Sequence, residues 1–212
     1  AAEPYLKDML KATTSAEARH RIRRLLTDIA GKPLVLTTDQ QRSIRAVQVL
    51  EQIGGVQARD ILLRLVARTD VVIENFRPGG LDAFGLGFAE LRAMKHDLVL
   101  VSISGFGQYG PAHARAGYDP LAQAESGWMS LNGEPDGGPT KAPTFLADDL
   151  AGLHAALSAL AALHHRDLTG EGQHIDVALL DSLLFQSNGY LTLGALGEEL
   201  PRLGNQFRIA AP

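Results

Sequence analysis

Cysteine is absent from the 212 residues, which excludes a disulfide framework and any thiolate-bound metal centre. The seven histidines do not fall at metal-ligand spacing either, so no metal site is expected. Aromatic residues make up only 6% of the chain. None interleaves with the basic residues as a nucleic-acid surface requires, so no nucleic-acid partner is expected. No uninterrupted apolar run approaches the length of a membrane span, and the first residues lack the apolar core of a signal peptide. No membrane partner is expected, and the expected compartment is cytoplasmic. What is present, 45% hydrophobic and 21% charged residues, is the balance of a soluble globular protein with one good core or two small ones.

The net charge of −4 conceals a split. Residues 1–68 carry 12 Lys and Arg against 7 Asp and Glu, and residues 69–212 carry 8 against 17. Residues 1–67 read as an all-helical segment. Leu6, Met9 and Leu10 follow Pro4 on one helical side, and Ser15 can cap a helix striped by Ile22, Leu25, Leu26 and Ile29. Asp39 can cap a third helix through Ile44, Val47, Leu50 and Ile53, and Ala58 to Ala67 forms a fourth. The stretch Arg45 to Gly54 followed by Ala58 to Leu65 resembles a HEAT-like helical repeat, a resemblance any antiparallel helix pair with a glycine turn would share.

The texture changes at Thr69. Val71-Val72-Ile73 is a short apolar run suited to a buried parallel strand, and it ends in the turn-rich loop Asn75-Phe76-Arg77-Pro78-Gly79-Gly80. A helical stretch from Leu81 to Lys95 is broken by Gly85 and Gly87, and Leu98 to Ile103 is a second strand. The glycine-rich loop Ser104 to Pro111 follows. Strand, helix and strand in this order form a βαβ unit, and both loops then lie at the carboxyl ends of parallel strands, where open α/β sheets bind ligands. Ala122 to Met129 reads as a helix, His174 to Leu179 alternates as a third strand, and Asp181 can cap a last helix. Beyond Tyr190 the pattern dissolves. The expected fold class is therefore α/β, a parallel sheet with flanking helices over 69–212, preceded by the helical segment 1–67.

One stretch organises the rest. Asp148 and Asp149 stand before a long helix in which Leu150, Leu153, Leu157, Leu160 and Leu163 recur at steps of three or four. Alanine and glycine fill most other positions, so the helix is expected to be buried. A carboxylate at its start faces the positive helix end, which favours the ionised form. On the pattern alone either aspartate can be a plain N-cap.

Ordered motifs across about 69–212 carry a more specific resemblance. Asp70 to Gly79, Gly85-Leu86-Gly87-Phe88, Val101 to Gln108, Ala116 to Gln123, the Asp148 helix and Thr169 to Gln173 together resemble the class III CoA-transferases. That family, of formyl-CoA and carnitine CoA-transferase type, also contains 2-methylacyl-CoA racemases. The resemblance implies an incomplete Rossmann-like CoA-transferase core and CoA exchange between an acyl-CoA and a carboxylic acid through an aspartyl intermediate. It implies coenzyme A as a substrate, no tightly bound cofactor, and a homodimer in the full-length parent. The family nucleophile lies four residues before a glycine, which matches Asp148 and Gly152 and leaves Asp149 as the cap. Asn75, Phe76 and Tyr118 match positions lining the CoA site, beside the plainer reading of each as a turn or core residue. Gln123 and Glu125 can face the site, but a solvated helix face is the preferred reading of both.

In the racemases of the family that the chain resembles, a histidine takes the place of Tyr118 as one of the two acid/base groups, and a tyrosine with a pKa of roughly 10 is a poor base at neutral pH. Residues 1–57 do not match the family's opening strand and loop, and Pro212 falls about where its second domain would begin. Weak turnover is therefore expected of this chain. The contrasting expectation is a non-catalytic fragment or interaction module.

Overall fold

The computed structural model describes residues 55–206 together with Lys7, Asp8, Leu10, Lys11, Arg19 and Ile22. Those six are helical; the remainder of the helices expected between Pro4 and Ile53 lies outside the described residues. The chain divides into two compact units, Ala1–Val72 with Asp82–Leu98, and Ile73–Leu81 with Val99–Pro212.

In the first unit, α1 (Gly55–Val66) buries Ala58, Leu65 and Val66. Arg59 on this helix donates from Nε to the Phe84 carbonyl at 3.0 Å, which holds the short 3-10 turn Asp82–Phe84. Helix α2 (Phe88–Met94) follows. Gly85 and Gly87 divide these two elements, as glycine in a helical pattern tends to do.

The second unit carries the sheet apart from Val71 and Val72, which belong to the first. Strands β1 (Val71–Glu74), β2 (Val99–Ser104) and β3 (His174–Ala178) stand in the order β1-β2-β3. β2 and β3 run parallel, with Val101 opposite Ile175 and Ser104 opposite Ala178. β2 is the central strand, and five of its six residues are buried, the pattern of a strand covered on both faces. Helices α3 (Asp119–Glu125), α4 (Trp128–Leu131), α5 (Leu146–Thr169), α6 (Leu179–Gln186) and α7 (Tyr190–Ala195) complete the described elements. α5 packs against α3, α6, β2 and β3.

The long helix reverses the expectation made for it. Ala147, Ala151, Ala155 and Ala162 form its buried side, whereas Leu153, Leu157 and Leu160 are 65–68% exposed. Alanine, with a single methyl group, lets the helix backbone lie close to its neighbours, so these small residues face inward. By length and composition α5 would also suffice to cross a bilayer, yet its alanine side is packed on protein. Two smaller differences appear at the helix starts. α3 begins at Asp119, three residues before the expected start, because Pro120 fits the first turn. α6 begins after Ala178 without any side-chain cap, so Asp181 does not serve as one.

Candidate active site

The loop after β1 is a pinned turn. The Gly80 N–H donates to the Arg77 carbonyl at 2.8 Å, and Gly79 sits at φ +81° behind Pro78. This is a type II turn, which requires the left-handed conformation at its third residue and favours glycine there. Two hydrogen bonds fix the loop further. The Asn75 amide donates from Nδ2 to the Ile103 carbonyl at 2.8 Å, and the Phe76 N–H donates to Oε2 of the buried Glu74 at 2.7 Å. Asn75 and Phe76 therefore sit at the carboxyl end of β2.

The loop after β2 meets the segment before α3 through bare backbone. A Cβ on Gly105 would lie 2.5 Å from the Gly117 Cα, and one on Gly117 would lie 2.6 Å from the Gly105 Cα. Both positions need glycine for close approach. The contact brings Tyr118, 75% exposed, beside the end of β2. Arg115 lies over the Phe106 ring at 4.7 Å and forms a two-armed ion pair with Glu125. Glu125 is exposed, as expected of a solvated helix face, and it anchors this arginine.

Asp148 lies in the first turn of α5, whose N-cap is Phe145 with no side-chain cap of its own. Neither Asp148 nor Asp149 is the cap; the Asp149 N–H is already spent on the Phe145 carbonyl at 2.8 Å. The capping carboxylate comes from a distant element. Oδ1 of Asp119, a buried residue of α3, accepts from the Ala147 N–H at 2.7 Å. Its Oδ2 accepts from Gln123 Nε2 at 2.7 Å, and Gln123 Oε1 in turn accepts from the Ala142 N–H at 2.7 Å. Gln123 is fully buried, contrary to the solvated face expected for it. Hydrogen bonds to a charged group are worth about 1.5–3 kcal/mol, so this bracket fixes where the first turn of α5 sits.

The electrostatics at Asp148 run against the helix end. Partial desolvation pushes its carboxyl up from the ordinary 3.8, and the charges of Asp119 and then Asp149 add to the rise. The side chain is nonetheless open to solvent on one side. A helix terminus alone would act the other way, but here Asp119 takes one of its free N–H groups and brings a second negative charge.

Asp148, Asn75, Phe76 and Tyr118 all line one cleft of about 400 Å³, together with Arg77 and Arg115. The four residues singled out in the sequence, drawn from three separate segments, thus come together. The two arginines, the Asp119 bracket and Ser104 were not among them. The arginines lay in motifs already noted but carried no assigned role. Asp119 and Gln123 stand at the i, i+4 spacing of one helix face, a signal available in the sequence.

A profile of CoA-transferase family III matches residues 41–212. The chain belongs to CoA-transferase family III. It is 47% identical over 156 residues to the succinate–glutarate CoA-transferase of Agrobacterium fabrum, covering 72% of this chain and 38% of that one. With the acetyl-CoA:oxalate CoA-transferase of Acetobacter aceti it shares 40% identity over 156 residues, covering 73% and 40%. A crystal structure of a CaiB/BaiF family protein from Brucella suis superposes with a TM-score of 0.69 at 43% identity, covering 74% and 42%. The chain spans about two fifths of the length of these family III relatives. The family match opens at residue 41, inside the segment read as helical.

Proposed function

We propose that Asp148 is the nucleophile of a CoA-transferase reaction in which CoA passes from an acyl-CoA to a carboxylic acid. The observation that carries this reading is the meeting of one carboxylate, raised in pKa, with Asn75, Phe76, Tyr118 and two guanidinium groups in a single cleft. A more basic carboxylate is a stronger nucleophile while it remains ionised. Arg77 and Arg115 at the mouth suit the phosphates of the nucleotide, and the rings of Phe76 and Tyr118 suit flat or apolar parts of the same molecule.

The steps conserve every group without water. An Asp148 oxygen attacks the thioester carbon, the C–S bond breaks, and CoA leaves as thiolate with a mixed anhydride behind. The thiolate attacks the Asp148 carbonyl, releasing the donor carboxylate and forming an aspartyl-CoA thioester. The acceptor carboxylate attacks that thioester, and CoA leaves again. The thiolate then attacks the acceptor's acyl carbon, giving the new acyl-CoA and free Asp148. Dicarboxylic acids are the acceptor class that the relatives suggest.

Trapping tests the assignment. The chain incubated with succinyl-CoA and hydroxylamine should yield a hydroxamate on Asp148 by peptide mass spectrometry. Asp148→Asn should lower transfer by several powers of ten, as loss of a covalent nucleophile does. Label on Asp149 alone, or full transfer by Asp148→Asn, rejects it. The racemase reading has less to stand on, since none of the described residues lining the cleft is a histidine.

The exposed leucine stripe of α5 favours one further part of this reading, a second copy of the chain as partner. Sedimentation velocity should show self-association that Leu157→Glu abolishes; a monomer at all concentrations would sink it.

A further inference from the structure

Asp119 is a demanding choice for the task of capping α5. It is 2% exposed, and its two oxygens accept from the Ala147 N–H and from Gln123 Nε2. No basic side chain pairs with it among the described residues. An asparagine oxygen caps a helix as well as an aspartate does, so the bond to Ala147 requires an acceptor but not a charge. Burying a charge without a partner ion is costly, and a second carboxylate close by adds repulsion.

Asp148 is that second carboxylate, and its side chain makes no hydrogen bond or ion pair with a described residue. The other titratable groups around it are Asp149 on the same helix and Arg77, Arg115 and Tyr118 in the cleft. Arg115 is engaged by Glu125 of α3. Asp181 of α6 and His174 and Asp176 of β3, on other elements packed against α5, do not line the cleft. Of the two like charges, that of Asp119 acts on Asp148 more strongly than that of Asp149.

We propose that Asp119, held in place by Gln123, drives acylation of Asp148: its fixed negative charge disfavours the free carboxylate and is relieved once Asp148 is acylated. The inference rests on the CoA-transferase reading above. When an Asp148 oxygen bonds to the thioester carbon and the C–S bond breaks, the negative charge leaves with the CoA sulfur. The anhydride and the aspartyl-CoA thioester are both neutral at Asp148, so the repulsion favours these covalent states over the free carboxylate. Asp119 does not line the cleft; it is a positioning residue that acts through Asp148.

Asp119→Asn combined with Gln123→Glu tests this. The new amide still accepts from the Ala147 N–H and donates to the new carboxylate, which accepts from the Ala142 N–H in its turn. The bracket is kept while the charge moves away from Ala147. Carboxyl titration by NMR of isotope-labelled aspartates should give Asp148 a lower midpoint in the double variant than in the parent. Asp149→Asn should lower it less. Hydroxamate formation on Asp148 at saturating succinyl-CoA should slow by about two- to fivefold in the double variant, the range of a charge pair open to solvent. In about 1 M salt, where the Debye length is about 3 Å, the two chains should converge. An Asp148 midpoint that stays put or rises in the double variant overturns the proposal. So does trapping slowed equally at low and high salt, as a displaced helix turn would give. Should the double variant not fold, Asp149→Asn decides: its Asp148 midpoint should still fall on adding salt, with Asp119 the like charge that remains. A midpoint indifferent to salt overturns the proposal. The titrations need no ligand, so if they run as expected and the parent forms no hydroxamate, the CoA-transferase reading itself fails and this inference falls with it.

Discussion

Helix α5 has an alanine side and a leucine side, and they meet opposite fates. Ala147, Ala151, Ala155 and Ala162 are at most 4% exposed, while Leu153, Leu157 and Leu160 are at least 65% exposed. Fully burying one leucine stabilises by about 1.5–3 kcal/mol, so hydropathy alone would have turned the helix around. Distance of approach decides instead. Spacing between packed elements depends on the side chains at the contact, and a strip of alanines lets α5 lie low over β2 and β3. From there its first turn can reach the Asp119 bracket. The leucines remain as an apolar strip suited to a partner surface.

The contrast can be broken most directly from the inside. Ala151→Leu should destabilise the chain by about 1–3 kcal/mol, since an added side chain in a filled interior forces the helix away. Leu157→Ala, measured at a concentration low enough to keep the chain apart from itself, should change stability by no more than about 0.5 kcal/mol. Urea melts of the two variants provide the check, and similar losses from both would mean that the two sides of α5 are not different in kind.

A smaller effect sharpens the contrast at the first turn, where Asp148 belongs to neither side. Its carboxyl holds its proton to a higher pH in the folded chain than in the unfolded one. Below pH 3.8 both states are protonated and the group is neutral to stability. As pH rises past that value the unfolded state ionises first, so the folded chain loses stability until its own carboxyl has ionised. Asp148→Asn should therefore melt above the parent at pH 7, with the gap closing toward pH 3.5. A gap that stays constant, or widens in acid, would contradict this origin. The shift belongs to a side chain open to solvent, so the effect should be modest.

Much of the second unit was legible in the sequence because its signals are local. Short apolar runs closed by Gly and Pro marked β1 and β2, and the pair Asp148-Asp149 stood at the start of a strongly periodic helix, with the family resemblance alone choosing Asp148. Asn75, Phe76, Tyr118 and Asp148 were gathered by the family resemblance, and the structure brings them to one cleft. What escaped notice depends on contacts between distant segments. Periodicity shows that leucines share a side of α5, but not whether that side faces the sheet. Asp119 caps a helix 28 positions later in the chain, and no spacing rule for local caps looks that far. Ser104 resembles Ser102 in every local respect; only the presence of His174 beside one and not the other separates them.

The meeting of Gly105 and Gly117 has a consequence for how this chain can change. A side chain at either position needs space that the other's main chain already occupies. In an ordinary packed pair, an enlarged residue can be accommodated by shrinking its neighbour. Here the neighbour has nothing left to remove. The two glycines therefore constrain each other without any route of compensation, and the only relief is to move a whole loop away from the end of β2.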